Sequence, residues 1–285
     1  MNNNLARLLI SCADQPGIVA AVSSWLYEHG ANIVQSDQYS TDPFGGRYFM
    51  RIEFALSDVA ERLDELNTSF EPIAERFGMT WRLKLASEQK RMAIFVSRED
   101  HCLLELLWRW QSGELPVKIP LVISNHPDLR SWVEDFRIPF YHIPVLPGRK
   151  TEAEAKALEL MAGKVDFIVL ARYMQVLSPL VLEAYPYQII NIHHSFLPAF
   201  KGARPYHQAY ERGVKLIGAT AHYATEALDQ GPIIEQDVVR VSHRDKPETL
   251  KQKGRYVERM VLANAVRLHI EDRVIVEGNK TIVFN

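Results

Sequence analysis

The sequence predicts an α/β protein of two domains, spanning residues 1–86 and 87–285. Three observations lead there. The length of 285 residues suits about two domains. The stretch SEQKR, 87–91, is charged and carries no apolar pattern, as expected of a linker. The hydrophobic period also changes across it. Half-buried strands and amphipathic helices precede it, and short continuous apolar runs separated by helical segments follow.

In the first block, RLLISCA (7–13) reads as a short strand and DQPG (14–17) as a turn. GIVAAVSSWLYEHG (17–30) has helical spacing, with Ile18, Val22, Trp25 and Leu26 on one stripe and Gly30 placed to end the helix. NIVQSDQYST (32–41) and RYFMRIEFAL (47–56) alternate as strands around the turn-forming DPFGG. A second amphipathic helix is expected over VAERLDELNTSFEPIAERFG (59–78), and MTWRLKLA (79–86) closes the block as a strand. The order βαββαβ is the ferredoxin-like arrangement.

After the linker, MAIFVS, VKIPLVIS, FYHIPV, FIVLA and QIINIHH read as buried strands, with helices such as HCLLELLWRW and TEAEAKALELMAG between them. That alternation predicts βαβ units, a mainly parallel sheet and a Rossmann-like domain. LIGATAHYAT (216–225) and GPIIEQDVVRV (231–241) read as two further strands. Residues 248–270 form a long helix, and RVIVEGNKTIVF (273–284) a hairpin turning at Gly278–Asn279.

A composition of 47% hydrophobic and 24% charged residues is that of a globular chain, and a net charge of −2 gives no reason to expect nucleic acid or an anionic membrane as partner. No apolar stretch approaches the roughly 18 residues of a spanning helix, and the start breaks too soon for a signal peptide. Two cysteines without a CxxC pair argue against a disulfide framework and suit a reducing cytoplasm.

Several residues are candidates for chemistry. His193, His194, His207 and His222 lack the spacing of a metal-ligand set, so no metal is expected. Cys102 reads as packing on an amphipathic helix rather than as a nucleophile. SREDHC (97–102) occupies the first βα turn of the second domain without a glycine and with two acids, which disfavours phosphate binding there. Asn191, His193 and Asp229 fall at or beyond strand ends, where open α/β sheets bind ligands. An Asn amide can donate to an oxyanion, a His can move a proton near neutral pH, and an Asp can orient the His. On spacing alone a structural role for these three is equally compatible.

The run NIHHSFLPAFKGARPYHQAYERGVKLIGATAHYATEALDQGPII (191–234) resembles the folate-dependent formyltransferase family, and the match extends from Arg91 to the end of the sequence. DQPGIVAAVSSWLYEHGANI (14–33) is similar to the ACT domain, a ferredoxin-like module that commonly binds amino acids. The two together resemble the family's deformylase branch. The resemblance implies hydrolysis of 10-formyltetrahydrofolate to tetrahydrofolate and formate, in one-carbon and purine metabolism, with no cofactor and no metal. It carries the catalytic roles onto Asn191, His193 and Asp229. It carries folate contacts onto Met174, Gln175, Val176 and Leu177, and onto Thr225, Glu226, Ala227 and Leu228. Transferases acting on glycinamide ribonucleotide have a glycine-rich phosphate loop where this sequence has SREDHC, which counts against such an acceptor. Formyl transfer to an amine is the alternative activity, and an ACT-based amino-acid sensor with a degenerate second domain the alternative class. ACT modules pair, so a homo-oligomer, dimer or tetramer, is expected. An amino-acid effector is expected at Asp14, Gln15, Gly17 and Asn32, with neither nucleic acid nor membrane as partner.

Overall fold

A computed structural model describes residues 4–42, 44–198 and 205–285 and divides the chain into two compact units. The first contains β1 (Leu5–Ala13), α1 (Ile18–Glu28), β2 (Asn32–Ser40), β3 (Arg47–Ala55), α2 (Leu63–Phe77) and β4 (Thr80–Leu85). Its antiparallel sheet has the order β2-β3-β1-β4. Alternation along the strands sets the two faces. Leu8 and Ile10 of β1 and Ile52 and Phe54 of β3 join the α1 residues Ile18, Val22, Trp25 and Leu26 and the α2 residues Leu66 and Phe70 in one core. Gly17, at φ 97°, adopts the left-handed conformation that lets β1 turn into α1. α2 begins four residues after the amphipathic pattern does, because Val59 to Arg62 form turns first.

The intervening residues face the other side of the sheet, and there the strands carry Arg7, Arg51 and Glu53. Arg51 is only 1% exposed. A buried guanidinium needs acceptors for its fixed fan of donors. Its Nη2 donates to Glu53 Oε2 and to the Glu271 carbonyl, both at 3.1 Å, and its Nε to the Asp272 carbonyl at 3.2 Å. Arg7 Nε bonds the same Glu53 oxygen at 2.8 Å, and Arg82 pairs with Asp272 at 3.1 Å. Residues 271–275 and 282–285 therefore belong to the first unit, where the sequence reading gave everything after 86 to the second.

The second unit has a seven-stranded sheet in the order β11-β10-β9-β8-β5-β6-β7. Its strands are β5 (Arg91–Val96), β6 (Lys118–Ser124), β7 (Phe140–His142), β8 (Phe167–Ala171), β9 (Ile189–His193), β10 (Leu216–Tyr223) and β11 (Ile233–Arg240). β5 to β9 pair in parallel, whereas β10 runs antiparallel to both β9 and β11. The long helices are α3 (His101–Gln111), α5 (Lys150–Met161) and α8 (Pro247–Ile270). Three short helices, α4 (Arg130–Asp135), α6 (Pro179–Ala184) and α7 (Pro205–Glu211), had no counterpart in the sequence reading. Six or seven residues are too few to display a 3.6-residue period. A closing hairpin pairs β12 (Val274–Glu277) with β13 (Lys280–Val283) around Gly278 at φ 58°.

From β5 the chain moves outward through β6 and β7, then returns to lay β8 against the other side of β5. That reversal opens a crevice at the carboxyl ends of the strands, the usual ligand position in open α/β sheets.

Arg51→Met should destabilise the protein by roughly 2–3 kcal/mol, since it takes one of two arginine partners from the part-buried Glu53 carboxylate and leaves two carbonyls short of donors. Urea titration followed by circular dichroism measures it, and a change below the error of the extrapolation would show that Arg51 does not anchor residues 271–272.

Candidate active site

Asn191 and His193, two apart on β9, point to the same face of the sheet. The antiparallel register with β10 sets His222 opposite Asn191 and Thr220 opposite His193. After β10 the chain loops through Asp229, whose φ of 55° is left-handed, a conformation Asp tolerates better than most side chains. The loop closes where Tyr223 N–H donates to the Pro232 carbonyl at 2.9 Å. Gly231 lies against the Tyr223 carbonyl so closely that a Cβ there would collide with backbone. Only glycine lets the loop return at this point.

These elements bring Asp229 Oδ2 to 3.2 Å from His193 Nδ1 and Asp229 Oδ1 to 3.7 Å from His222 Nε2. Asn191 Nδ2 is 3.2 Å from the same His222 nitrogen, and His222 Nδ1 donates to the Tyr223 carbonyl at 2.9 Å. With Nδ1 donating to that carbonyl, His222 Nε2 is placed to accept from the Asn191 amide. Hydrogen bonds from His193 first, and from His222 second, hold the Asp229 carboxyl far below the ordinary carboxylate range, against the opposing effect of burial. His193 Nε2, buried and without a hydrogen-bond partner among the described residues, is the ring atom left for a ligand.

The cluster stands at one end of a cavity of about 560 Å³. Its other walls are largely apolar, with Leu170, Leu177, Leu182, Val176, Met174 and Leu228 contributing. A polar group at the end of an apolar cleft of this size suits a small-molecule ligand with one reactive centre.

A formyl transferase family model matches residues 90–266, and an ACT domain model matches residues 6–71. A formyltetrahydrofolate deformylase of Bacillus subtilis is 60% identical over 285 residues, covering 100% of this chain and 95% of the relative. The chain belongs to the formyltetrahydrofolate deformylase family. A crystal structure of a formyltetrahydrofolate deformylase from Pseudomonas syringae superposes with a TM-score of 0.95 at 53% identity, covering 99% of this chain and 94% of that one. The crystal structure of glycinamide ribonucleotide transformylase 1 from Symbiobacterium toebii matches 69% of this chain and 95% of its own, at 31% identity and a TM-score of 0.66.

In this deformylase-family chain the structure brings Asn191, His193 and Asp229 together, as the spacing alone did not require. Of the residues expected to contact folate, Met174, Gln175, Val176, Leu177, Thr225, Glu226 and Leu228 line the cavity, and Ala227 does not. Its carbonyl instead accepts from Thr225 Oγ1 and from Gln230 N–H inside the loop. Residues 199–204 of the signature lie outside the described residues. His222 and Arg172 also line the cavity, and the sequence reading gave neither a catalytic part. The β9–β10 pairing was the available signal for His222, but register is not readable from a strand pattern alone.

Among the described residues, His101, Cys102 and Glu258 place potential metal-ligand atoms within 4.8 Å of one another. Both carboxylate oxygens of Glu258 are already engaged, by His101 Nε2 at 2.8 Å and by the Tyr206 hydroxyl at 2.6 Å. Burial pushes the Cys102 thiol up, so it is neither a ready ligand nor a nucleophile.

The expected effector residues do not converge within one chain. Asp14 accepts from the Ser40 hydroxyl, and Gln15 Nε2 donates to the Phe77 carbonyl at 3.4 Å. Asn32 pairs with Ala55, at the end of the sheet where Leu5 lies, whereas Asp14–Gly17 follows Ala13 at the opposite end. The nine residues of β1 separate these ends by roughly 25 Å.

Burial, with the Arg172 charge second, pushes His194 from its ordinary 6.5 to about 4. The unfolded chain therefore takes up that proton first. His194 contributes its full share of stability above pH 6.5 and loses it as pH falls toward about 4. The thermal midpoint should fall across that window, and His194→Gln should flatten the fall when both proteins are scanned calorimetrically. An unchanged slope in the variant would rule this residue out as its source.

Proposed function

We propose that this chain hydrolyses 10-formyltetrahydrofolate to tetrahydrofolate and formate, the activity its deformylase relatives are named for. The observation that carries the proposal is the His193 ring, which lines the cavity, is tied through Nδ1 to Asp229 and keeps a buried Nε2 without a hydrogen-bond partner among the described residues. Asn191, at the same end, has amide hydrogens for a second donation.

The chemistry follows from those positions. The folate lies along the apolar walls between 174–177 and 225–228, with its formyl group at the polar end. Water attacks the formyl carbon, and the developing oxyanion is met by Asn191 Nδ2 and by charged His193. Asp229, held ionised by its histidine neighbours, supports that charge and positions the water. A proton delivered to N10 lets the folate amine leave as the carbon–nitrogen bond breaks. The carbon departs with the oxygen of water as formate, and one proton is released to solvent. Because N10 is attached to an aromatic ring, it is a good enough leaving group for this route to run without metal or cofactor.

In the first unit, Ile33, Val34 and Tyr39 are exposed on β2, an edge strand. Exposed edges of this kind favour pairing between copies, which supports the homo-oligomer expected of an ACT module. An amino-acid effector would be held by the Asp14–Gly17 turn and the amino end of α1, without Asn32 from the same copy.

Purified protein supplied with 10-formyltetrahydrofolate and no amine should release formate and tetrahydrofolate in equal amounts. Turnover that required an amine would replace the hydrolase by a transferase. His193→Ala and Asp229→Asn should each lower kcat on the order of a hundredfold or more, while binding of a non-reactive folate persists. Near-normal turnover by either would remove that residue from the scheme. Dialysis against a strong chelator should leave activity intact, and loss restored by one added divalent ion would overturn the metal-free route.

A further inference from the structure

Arg172 follows β8 directly and lines the cavity beside His193 and His194. It has a φ of 62°, the left-handed region in which glycine is at ease and a long side chain is not. An arginine kept in a glycine conformation points to a use for its side chain. That side chain is 10% exposed and lies 3.5 Å from Glu258 through Nε. Glu258 in turn is 1% exposed and bonded to His101, at the start of α3, and to Tyr206 of α7. Gly254, one turn before Glu258 on α8, leaves the room that the Tyr206 ring fills, since a Cβ there would collide with its hydroxyl. His194 stands between this group and the reacting cluster, with ring centroids 5.4 Å from His193 and 6.1 Å from Tyr206.

The sheet order gives this group a location. Asn191 and His193 belong to β9, the Asp229 loop to the β10 side, Arg172 to the end of β8 and His101 to the helix after β5. The group therefore occupies the crevice between β8 and β5, where the strand order reverses and where open α/β sheets usually admit a ligand. Here His101, Tyr206 and Arg172 each meet Glu258, the first two by hydrogen bonds and Arg172 by an ion pair, and the hydrolysis scheme uses none of the four.

We propose that Arg172, anchored by Glu258, is a specificity-determining residue that closes the β5 side of the reacting centre to amines, leaving water as the only acceptor small enough to reach the formyl carbon. The proposal rests on the hydrolase reading above. A neutral amine and water make the same first bond to the formyl carbon. With an amine, the carbon–N10 bond breaks, the amine nitrogen loses one proton and N10 gains one, giving an N-formyl amine and tetrahydrofolate. With water, the products are formate, tetrahydrofolate and a proton. The side chain also presents a positive charge to any protonated amine that approaches, whereas neutral water meets no such opposition.

The test partitions the two products. Wild-type enzyme and Arg172→Gly are each given 10-formyltetrahydrofolate with and without a high concentration of glycinamide, and formate and N-formylglycinamide are quantified against tetrahydrofolate. The glycine variant suits the backbone at this position, and circular dichroism checks its fold. Wild type should give formate alone in both mixtures. Arg172→Gly should give N-formylglycinamide as well, at least tenfold above the uncatalysed background. Formate alone from the folded variant, or loss of both products, would overturn the proposal, the second outcome assigning Arg172 to hydrolysis itself. Absence of formate from the wild type without amine would instead overturn the hydrolase reading. Should the glycine variant not fold, Arg172→Ala combined with Glu258→Gln removes both charges together and is read the same way.

Discussion

The antiparallel pairing of β9 with β10 is the constraint on which the rest of the second unit's chemistry depends. A parallel neighbour would carry the chain back under the sheet before it could approach Asn191 again. An antiparallel one runs past it, sets His222 opposite Asn191, and releases the chain into the loop that carries Asp229. A slip of one residue would turn His222 to the other face and leave Asp229 facing His193 without its second neighbour. The register is therefore a chemical requirement as much as a packing one.

The two backbone positions that break ordinary conformational rules within the cavity wall are Arg172 and Asp229, both left-handed and neither a glycine. Strain of that kind persists only where surrounding contacts hold it. For Asp229 the holding contacts are the two histidines and the tight return at Gly231. For Arg172 they are the hydrogen bond from its N–H to the Leu170 carbonyl at 3.1 Å and the ion pair with Glu258 at 3.5 Å. Each places a charged group on one flank of His193, a carboxylate toward β10 and a guanidinium toward β5. The histidine environment is thus built from opposite charges supplied by two loops and is not a property of β9 itself.

The sequence made the strands of both units legible because their apolar patterns are local. RLLISCA, MAIFVS and FIVLA each announce a strand within a few residues, and the burial stripe of Ile18, Val22, Trp25 and Leu26 announces α1. The motif around Asn191, His193 and Asp229 was legible as a resemblance, and the structure adds the distances. Glu258 was not legible. It sits within the long helix expected over 248–270, and only the packing of α3, α7 and α8 reveals that it is buried and bonded to His101 and Tyr206. Arg51 escaped for the same reason. In RYFMRIEFAL it occupies an outward position of an alternating strand, and its burial depends on a segment more than two hundred residues later. Long-range cover is what a local pattern cannot encode.

That cover has a consequence for the order in which the molecule assembles. A ribosome delivers β1 to β4 first, and the helices α1 and α2 can close over one face of their sheet as soon as residue 85 emerges. The other face waits. The carbonyls of Glu271 and Asp272 that Arg51 requires leave the exit tunnel only after β5 to β11, the whole seven-stranded sheet of the second unit, have been made. The module at the start of the chain is thus the last to be finished. Until then a nascent chain carries a half-dressed sheet with an arginine, a glutamate and two open strand edges facing solvent, or another copy of itself.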